Sequence, residues 1–505
     1  MNRLIMKQAA QKMCLLLSFF LLVSSASLAQ VEFETSLPYD YFGAIKSSKN
    51  FLFTMTPLKK TYDQSELIIL SFEGEELSRL QFQNRNRPTI TKFGMMGEST
   101  VFMMSTGEFV LLDADGKETS RHTLTFEEKI KGSKTLISDK GITVIQEVKI
   151  PKVGSALRVT QFSTMFEEQW KYEEIAEKGK YDIEQVVLSN NGQLAILYKK
   201  GMNADLGLCL LNSIGQEKAF VDVPRKTGQF SSYYFEYKSN GDLLLVSDYG
   251  STSTEMFKGI PLAMSVITLD GVSGAVKSDV LVDFLELQQK LGDKTTDDKP
   301  VYSQIAPALH MLEVVQVEGE FYLICESYLS RDRKQNVPST TPGNPGTDTY
   351  YTQMELLDYY LINLDNPLEK QKRIWKQPRT IELELGSFGS ANSARPKMQQ
   401  NGLFSYQGMY NGKIVSRGYG QMHNYFTLID LNKGKEELDK RTFWGTPIGT
   451  DYNVLPQRKS YNVGFGSTFM EDYFAREGML SLDGYFTLYQ YDVSANTLNL
   501  AKIKF

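Results

Sequence analysis

Histidine and cysteine are scarce in this chain, at three residues each out of 505. His122, His310 and His423 are scattered, so no convergent ligand set at zinc-site spacing exists. Cys14 falls in an N-terminal apolar run, which leaves Cys209 and Cys325. Two cysteines far apart exclude a disulfide framework. Each sits in an apolar, strand-like run, where cysteine acts as a small hydrophobe. Basic residues do not outnumber acidic ones (55 against 60), so the footprint of a nucleic-acid binder is missing. After the first 29 residues no apolar run is long enough for a membrane-spanning helix. No Gly-x-Ser-x-Gly elbow and no phosphate-cradling glycine loop before a helix is present. These absences predict neither a resident metal nor a cofactor. Asp113-Ala-Asp-Gly116 has calcium-binding residue types, but a hairpin turn needs the same ones. Asp293 with Asp297-Asp298 is a weaker calcium candidate.

The N-terminus is rich in what the rest lacks. Arg3, Lys7 and Lys12 precede the apolar stretch Cys14–Val23, and Ser27-Leu-Ala29 supplies small residues for cleavage. This order predicts a secretory signal over residues 1–29, with Gln30 opening a mature domain over 30–505. The signal holds three basic residues and no acids, so its removal takes the net charge from −5 to about −8.

Within residues 30–505 one unit recurs. An apolar run meets a turn of Gly, Asn or Asp, and a more polar strand follows. Leu67-Ile-Ile-Leu70, Phe109–Leu112, Leu206–Leu211, Met264–Leu269, Tyr359–Leu364, Tyr425–Leu431 and Tyr485–Tyr491 are instances, and Leu157–Phe162 adds another. A second hairpin precedes most of them, as at Val187–Leu197, Glu236–Val246, Val315–Ile324 and Gln407–Val415. Turn residues that supply positive φ, between strands of Val, Ile, Tyr and Phe, indicate β-hairpins. Two hairpins make a four-stranded unit, and its repetition predicts a single all-β propeller, with eight blades favoured over seven. Runs such as Leu243-Leu-Leu-Val246 do not alternate with polar residues, which fits strands covered on both faces. The N-terminal strand near Val31–Thr35 is expected to complete the last blade with Thr497–Phe505. One helical insertion is predicted over Asp279–Leu291, with Gln288 on its polar side. Arg331–Thr349, rich in Pro, Gly and Thr, reads as an irregular loop. A lipid-facing barrel ending in Phe505 would need longer, cleanly alternating strands.

Ser189-Asn-Asn-Gly-Gln-Leu194 and Ser239-Asn-Gly-Asp-Leu243 resemble blades of divergent WD40-like and TolB-like propellers. With its signal, the chain also resembles uncharacterised exported proteins of Bacteroidetes-type bacteria. The resemblance implies a propeller fold and a secreted, periplasmic or cell-surface location. It implies no function.

In such a blade the A–B and C–D turns share one side of the disc, and the B–C and D–A connections share the other. The short turns here are of the first kind. Val148–Ser155, Asp248–Ile260, Tyr328–Thr352 and Arg417–Asn424 are expected as longer B–C loops. Longer D–A insertions are expected near residues 283–306, 377–401 and 444–460. A binding face on that side is predicted, because recognition residues concentrate on loops held by a rigid scaffold. Its candidate ligand-binding residues are Tyr249, Tyr328, Arg331, Arg333, Arg417, Tyr419, His423 and Trp444, since arginine and aromatics favour recognition surfaces.

Two functions fit. The first is an exported binding or scaffold module holding a glycan, a peptide or an envelope protein. The second is a carbohydrate-active enzyme, which needs two carboxylates meeting across a pocket. Asp248 and Glu326, in adjacent units, are the candidate pair.

Overall fold

A computed structural model describes residues 30–38, 45–57, 64–83, 89–124, 130–150, 154–176, 181–200, 205–223, 229–250, 262–292, 307–317, 320–337, 347–376, 378–386, 398, 404–410, 413–419, 424–431, 443–444, 477–482, 485–492 and 497–504. The predicted signal, residues 1–29, lies outside them.

The described strands form eight antiparallel sheets in chain order, seven of four strands and one of five. They cover residues 46–83, 90–123, 130–176, 181–222, 229–283, 308–386, 406–444 and 477–504, the last joined by 30–38. Strands are lettered A to D within each sheet. Inner strands lie beside inner strands. The A strand of the third sheet contacts those of the second and fourth, the fourth contacts the fifth, and the seventh the eighth. The A strand of the eighth also touches that of the first. The sheets therefore stand radially around an axis and close into a ring, a β-propeller.

The core is distributed accordingly. One apolar cluster lies between each successive pair of sheets, from first and second through sixth and seventh. Leu67, Ile68, Ile69 and Leu70 are all fully buried, as a strand covered on both faces requires. Cys209 and Cys325 are buried in two different clusters. Burial pushes the Cys209 thiol up to about 12.

Closure uses both ends of the chain. Gln30–Pro38 is strand D of the eighth sheet, pairing from Gln30↔Lys504 to Pro38↔Thr497. This is the closure expected from the sequence.

The C–D turns share a local design. Ser71, Asp113, Ser163 and Asn212 each accept backbone N–H bonds from residues two and four ahead. Asp113-Ala-Asp-Gly116 is thus a hairpin turn, its Asp113 carboxylate occupied by the turn's own amides. No group of three or more potential metal ligands occurs among the described residues. Asp293, Asp297 and Asp298 lie outside them.

Two sequence expectations are corrected here. The helix is α1, Phe284–Leu291, and residues 276–283 are instead strand D of the fifth sheet, with Asp279 opposite Ile267. Asp283 sets the boundary by accepting from Glu286 N at 2.9 Å. Gln288 is buried rather than on a polar face, its Nε2 donating to Phe284 O and Pro307 O at 3.1 and 2.6 Å. Residues 331–337 and 347–349 are strand and not irregular loop, while 338–346 lie outside the described residues. Strand B of the sixth sheet runs Glu320–Val337, and strand C runs Thr347–Asn363. Cross-strand pairing from Arg331↔Gln353 to Val337↔Thr347 supplies the backbone bonds that local composition argued against.

Candidate functional site in the sixth sheet

The sixth sheet departs from the others at the side where B–C connections lie. Strand A, Ala308–Val317, pairs with strand B only as far as Tyr328. From Leu329 to Val337 strand B continues with strand C as its only partner among the described residues. Strand D is broken in two. Gln371–Ile374 pairs with the inner half of strand C, and Arg379–Gly386 pairs with residues 350–356 farther out. The outcome is a three-stranded projection. Within the expected loops over 328–352 and 377–401, residues 328–337, 347–352 and 379–386 are therefore strand. At residues 148–155 the strands pair through Ile150↔Gly154, so that connection is tight rather than long.

The base of the projection is apolar. Ala308, Tyr328, Met354, Leu356, Met398 and Phe404 form one cluster, with Ile381 against it. Tyr328 is 2% exposed, so it anchors the projection and does not face a ligand. Phe404 stacks on His310 at 4.0 Å and meets Tyr328 edge-on.

Beneath this cluster, where the sixth sheet meets the seventh, lies a buried ionic network. The break in strand D leaves Trp375 44% exposed and turns Lys376 inward. Lys376 Nζ is 3.0 Å from Glu326 Oε1 and donates to Ser405 Oγ at 3.3 Å. Ser405 N donates to Glu326 Oε2 at 3.0 Å, so one carboxylate oxygen is held by the ion pair and the other by a backbone amide. The ammonium also lies 5.5 Å from the centroid of the Tyr359 ring. The Tyr359 hydroxyl shares a 2.8 Å hydrogen bond with Ser416 Oγ of the seventh sheet. Burial, with the nearby Glu326 charge, pushes the Tyr359 phenol well up, so it stays neutral. Asp358 joins the cluster through Arg373 Nε at 2.7 Å and accepts from Lys376 N. Burial pushes its carboxyl up, and Arg373 pulls it back. Ser327 bridges the bulge after Glu326 by bonding both Asp358 N and Asp358 O.

This arrangement welds two sheets. Glu326 is fully buried and acts as counter-ion to Lys376. Asp248, 6% exposed, lies opposite Met264 in the fifth sheet. By strand alternation Asp248 shares the face of Leu244 and Val246, which packs on the sixth sheet. Glu326 shares the face of Ile324, which packs on the seventh. The two carboxylates thus project toward opposite faces of the sixth sheet and do not confront each other.

The remaining candidates divide by position. Tyr249 is half-buried near the end of strand B of the fifth sheet, and Arg331 is exposed where the projection leaves the disc. Arg333 stands opposite Tyr351 farther along it. Arg417 and Tyr419 lie in strand B of the seventh sheet, and Trp444 pairs with Tyr425 there. His423 lies outside the described residues. Sequence reasoning missed Lys376, Asp358, Arg373, Ser405 and Ser416. The only signal was Trp375-Lys376 at the end of a short polar strand, which does not reveal an inward lysine.

No protein-family model and no curated protein matches the sequence. Among solved structures, dihydro-heme d1 dehydrogenase NirN is similar at 13% identity and a TM-score of 0.42, over 94% of this chain and 76% of that one. The C-terminal WD40 domain of Sif2 is similar at 9% identity and a TM-score of 0.42, over 95% and 98%. A protein of unknown function from Bacteroides caccae is similar at 11% identity and a TM-score of 0.26, over 51% and 78%. At these identities the likeness is one of fold alone. The radial order of the sheets and their closure through Gln30–Pro38 make this chain a divergent β-propeller.

Proposed function

We propose that this protein is an exported binding or scaffold propeller that holds a glycan, a peptide or another envelope protein on the face bearing its long connections. The observation that carries the reading is the three-stranded projection of the sixth sheet. Strands B and C there, at 18 and 17 residues, far exceed the 7 and 7 of the fourth sheet. Folding the disc does not require that extra length, because the other sheets close without it. Rigid strands also hold recognition side chains with less entropy lost on binding than a loop would. Arg331 is exposed on it, and Arg333 follows two residues along the same strand. Tyr249, Arg417, Tyr419 and Trp444 belong to strand ends of the fifth and seventh sheets on that same side.

The test compares the chain from Gln30 onward with a variant in which residues 333–351 are replaced by Asn-Gly. Both are applied to a glycan array and to pull-downs from the cell envelope. A ligand captured by the native protein and lost by the variant is the expected result. Equal capture by the two would reject the projection as the binding element.

A further inference from the structure

Between the second and third sheets a buried polar stretch adjoins the apolar cluster. Val144 and Phe162 pack in that cluster, so strand alternation turns Gln146, Arg158 and Thr160 toward the second sheet as well. All three are buried, as is Thr135 on the innermost strand. The second sheet faces them with a lysine. A Cβ at Gly94 would meet Ile137, and the same offset between the two innermost strands sets Lys92 against Thr135. Ser133, which pairs with Gln146, is exposed, and so is Lys134, so the polar stretch borders solvent near the axis.

Two of these groups have needs that the described residues do not meet. Gln146 is 1% exposed, yet neither its Oε1 nor its Nε2 has a hydrogen-bond partner. Lys92 is half-buried and pairs with no carboxylate among the described residues. Burial, with the Lys134 charge, pushes its ammonium down. Arg158 differs, because Glu173 holds its Nε and Nη2 at 2.7 and 2.6 Å. A buried amide without hydrogen bonds is destabilising and calls for a reason. Water would serve the amide but would leave the Lys92 charge without an anion.

We propose that the seam between the second and third sheets binds a small hydroxycarboxylate, its carboxylate against Lys92 and a hydroxyl against the Gln146 amide. A hydroxyl both donates and accepts, so it satisfies either amide atom. The innermost strands favour an anion on this side of the axis. Strand A of the first three sheets carries Lys46, Lys92 and Lys134 and no acidic residue. In the fourth to sixth sheets it carries Asp182, Glu184, Glu236 and Glu313 and no lysine or arginine. A charge divided in this way attracts an anion toward the second and third sheets and repels it from the fourth to sixth. The site stands apart from the projection of the sixth sheet, so either reading can fail without the other.

The chain from Gln30 onward, which contains every described strand, is titrated by calorimetry with lactate and gluconate. Propionate, which lacks the hydroxyl, and glycerol, which lacks the charge, are the controls. A hydroxy acid is expected to bind about tenfold or more tighter than propionate, and glycerol to give no binding heat. Gln146→Leu should bring the hydroxy acid down to the level of propionate. It should not lower the melting temperature, because it removes an unpartnered amide from the interior. Lys92→Met should weaken every carboxylate by about tenfold or more. Arg331→Ser, on the projection, should change none of these affinities. Binding of neither lactate nor gluconate overturns the proposal, and so does propionate bound as tightly as both. Native affinity in Gln146→Leu and Lys92→Met overturns it too. The comparison of lactate with propionate uses the native protein, so it decides the matter even if a variant fails to fold.

Discussion

At Gly207 the chain has no room for a methyl group. A Cβ there would lie 2.2 Å from Tyr198 Cζ, and Tyr198 is fully buried against Tyr181 and Phe220. Gly207→Ala must displace that ring, so it should cost about 1–3 kcal/mol in urea unfolding. Phe166 shows the complementary case. Its φ is 62°, in the left-handed region where the equivalent turns carry Gly74, Gly116 and Gly215. Its ring stacks on His122 at 4.0 Å and meets Phe109 edge-on, contacts to the preceding sheet that offset the backbone cost. The Lys376–Glu326 pair gives a sharper test. Lys376→Met leaves a buried carboxylate without its cation and should lower stability by about 3–5 kcal/mol. Lys376→Met with Glu326→Leu removes both charges, so the double variant should recover most of that loss. If the double variant unfolds as readily as the single one, the pair is not the source of the effect.

Among elements, the sixth sheet is the outlier, and its two halves do different work. The inner half is an ordinary blade, with Leu323, Cys325 and Ile362 packed toward the fifth sheet and Ile324 and Leu361 toward the seventh. The outer half rests on the cluster around Tyr328 and Phe404. Replacing residues 333–351 by Asn-Gly spares that cluster. Its melting temperature should therefore stay within a few degrees of the native value while ligand capture is lost. A large fall in melting temperature would assign the projection a structural role instead. The register shifts repeat as the blades do. Strand A is bulged against strand B in the second to seventh sheets, from Ile90/Lys92 to Tyr406/Gly408. Such a bulge sharpens the local twist, as innermost strands crowded around an axis need.

For the whole molecule, closure is the decisive contact. Gln30–Pro38 pairs with the strand Thr497–Lys504, so the two ends of the chain complete one sheet. Without it the ring would hold only by the packing of adjacent sheets. Removing residues 30–38 should lower the melting temperature by more than ten degrees, roughly the effect of several kcal/mol. Calorimetry should also show the transition broaden as cooperativity is lost. An unchanged, sharp transition would mean that the ring closes by other contacts.

The sequence by itself determined the repeat, the strand character and the closure. Doubly buried runs such as Leu67–Leu70 and turn residues such as Asp113 and Gly116 are local signals with one physical meaning. Only the tertiary structure decided that residues 331–337 and 347–349 are strand, since their backbone partners lie across a hairpin and beside Arg379–Gly386. It alone decided the environment of Glu326. A carboxylate at the end of an apolar strand reads the same whether it meets substrate or a lysine. The inward turn of Lys376 is recognisable only from its partners, Glu326 and Ser405, which lie far from it in the chain. The direction of Asp248 and Glu326 likewise depended on which neighbouring sheet each strand face packs against, information that no spacing along a single strand contains.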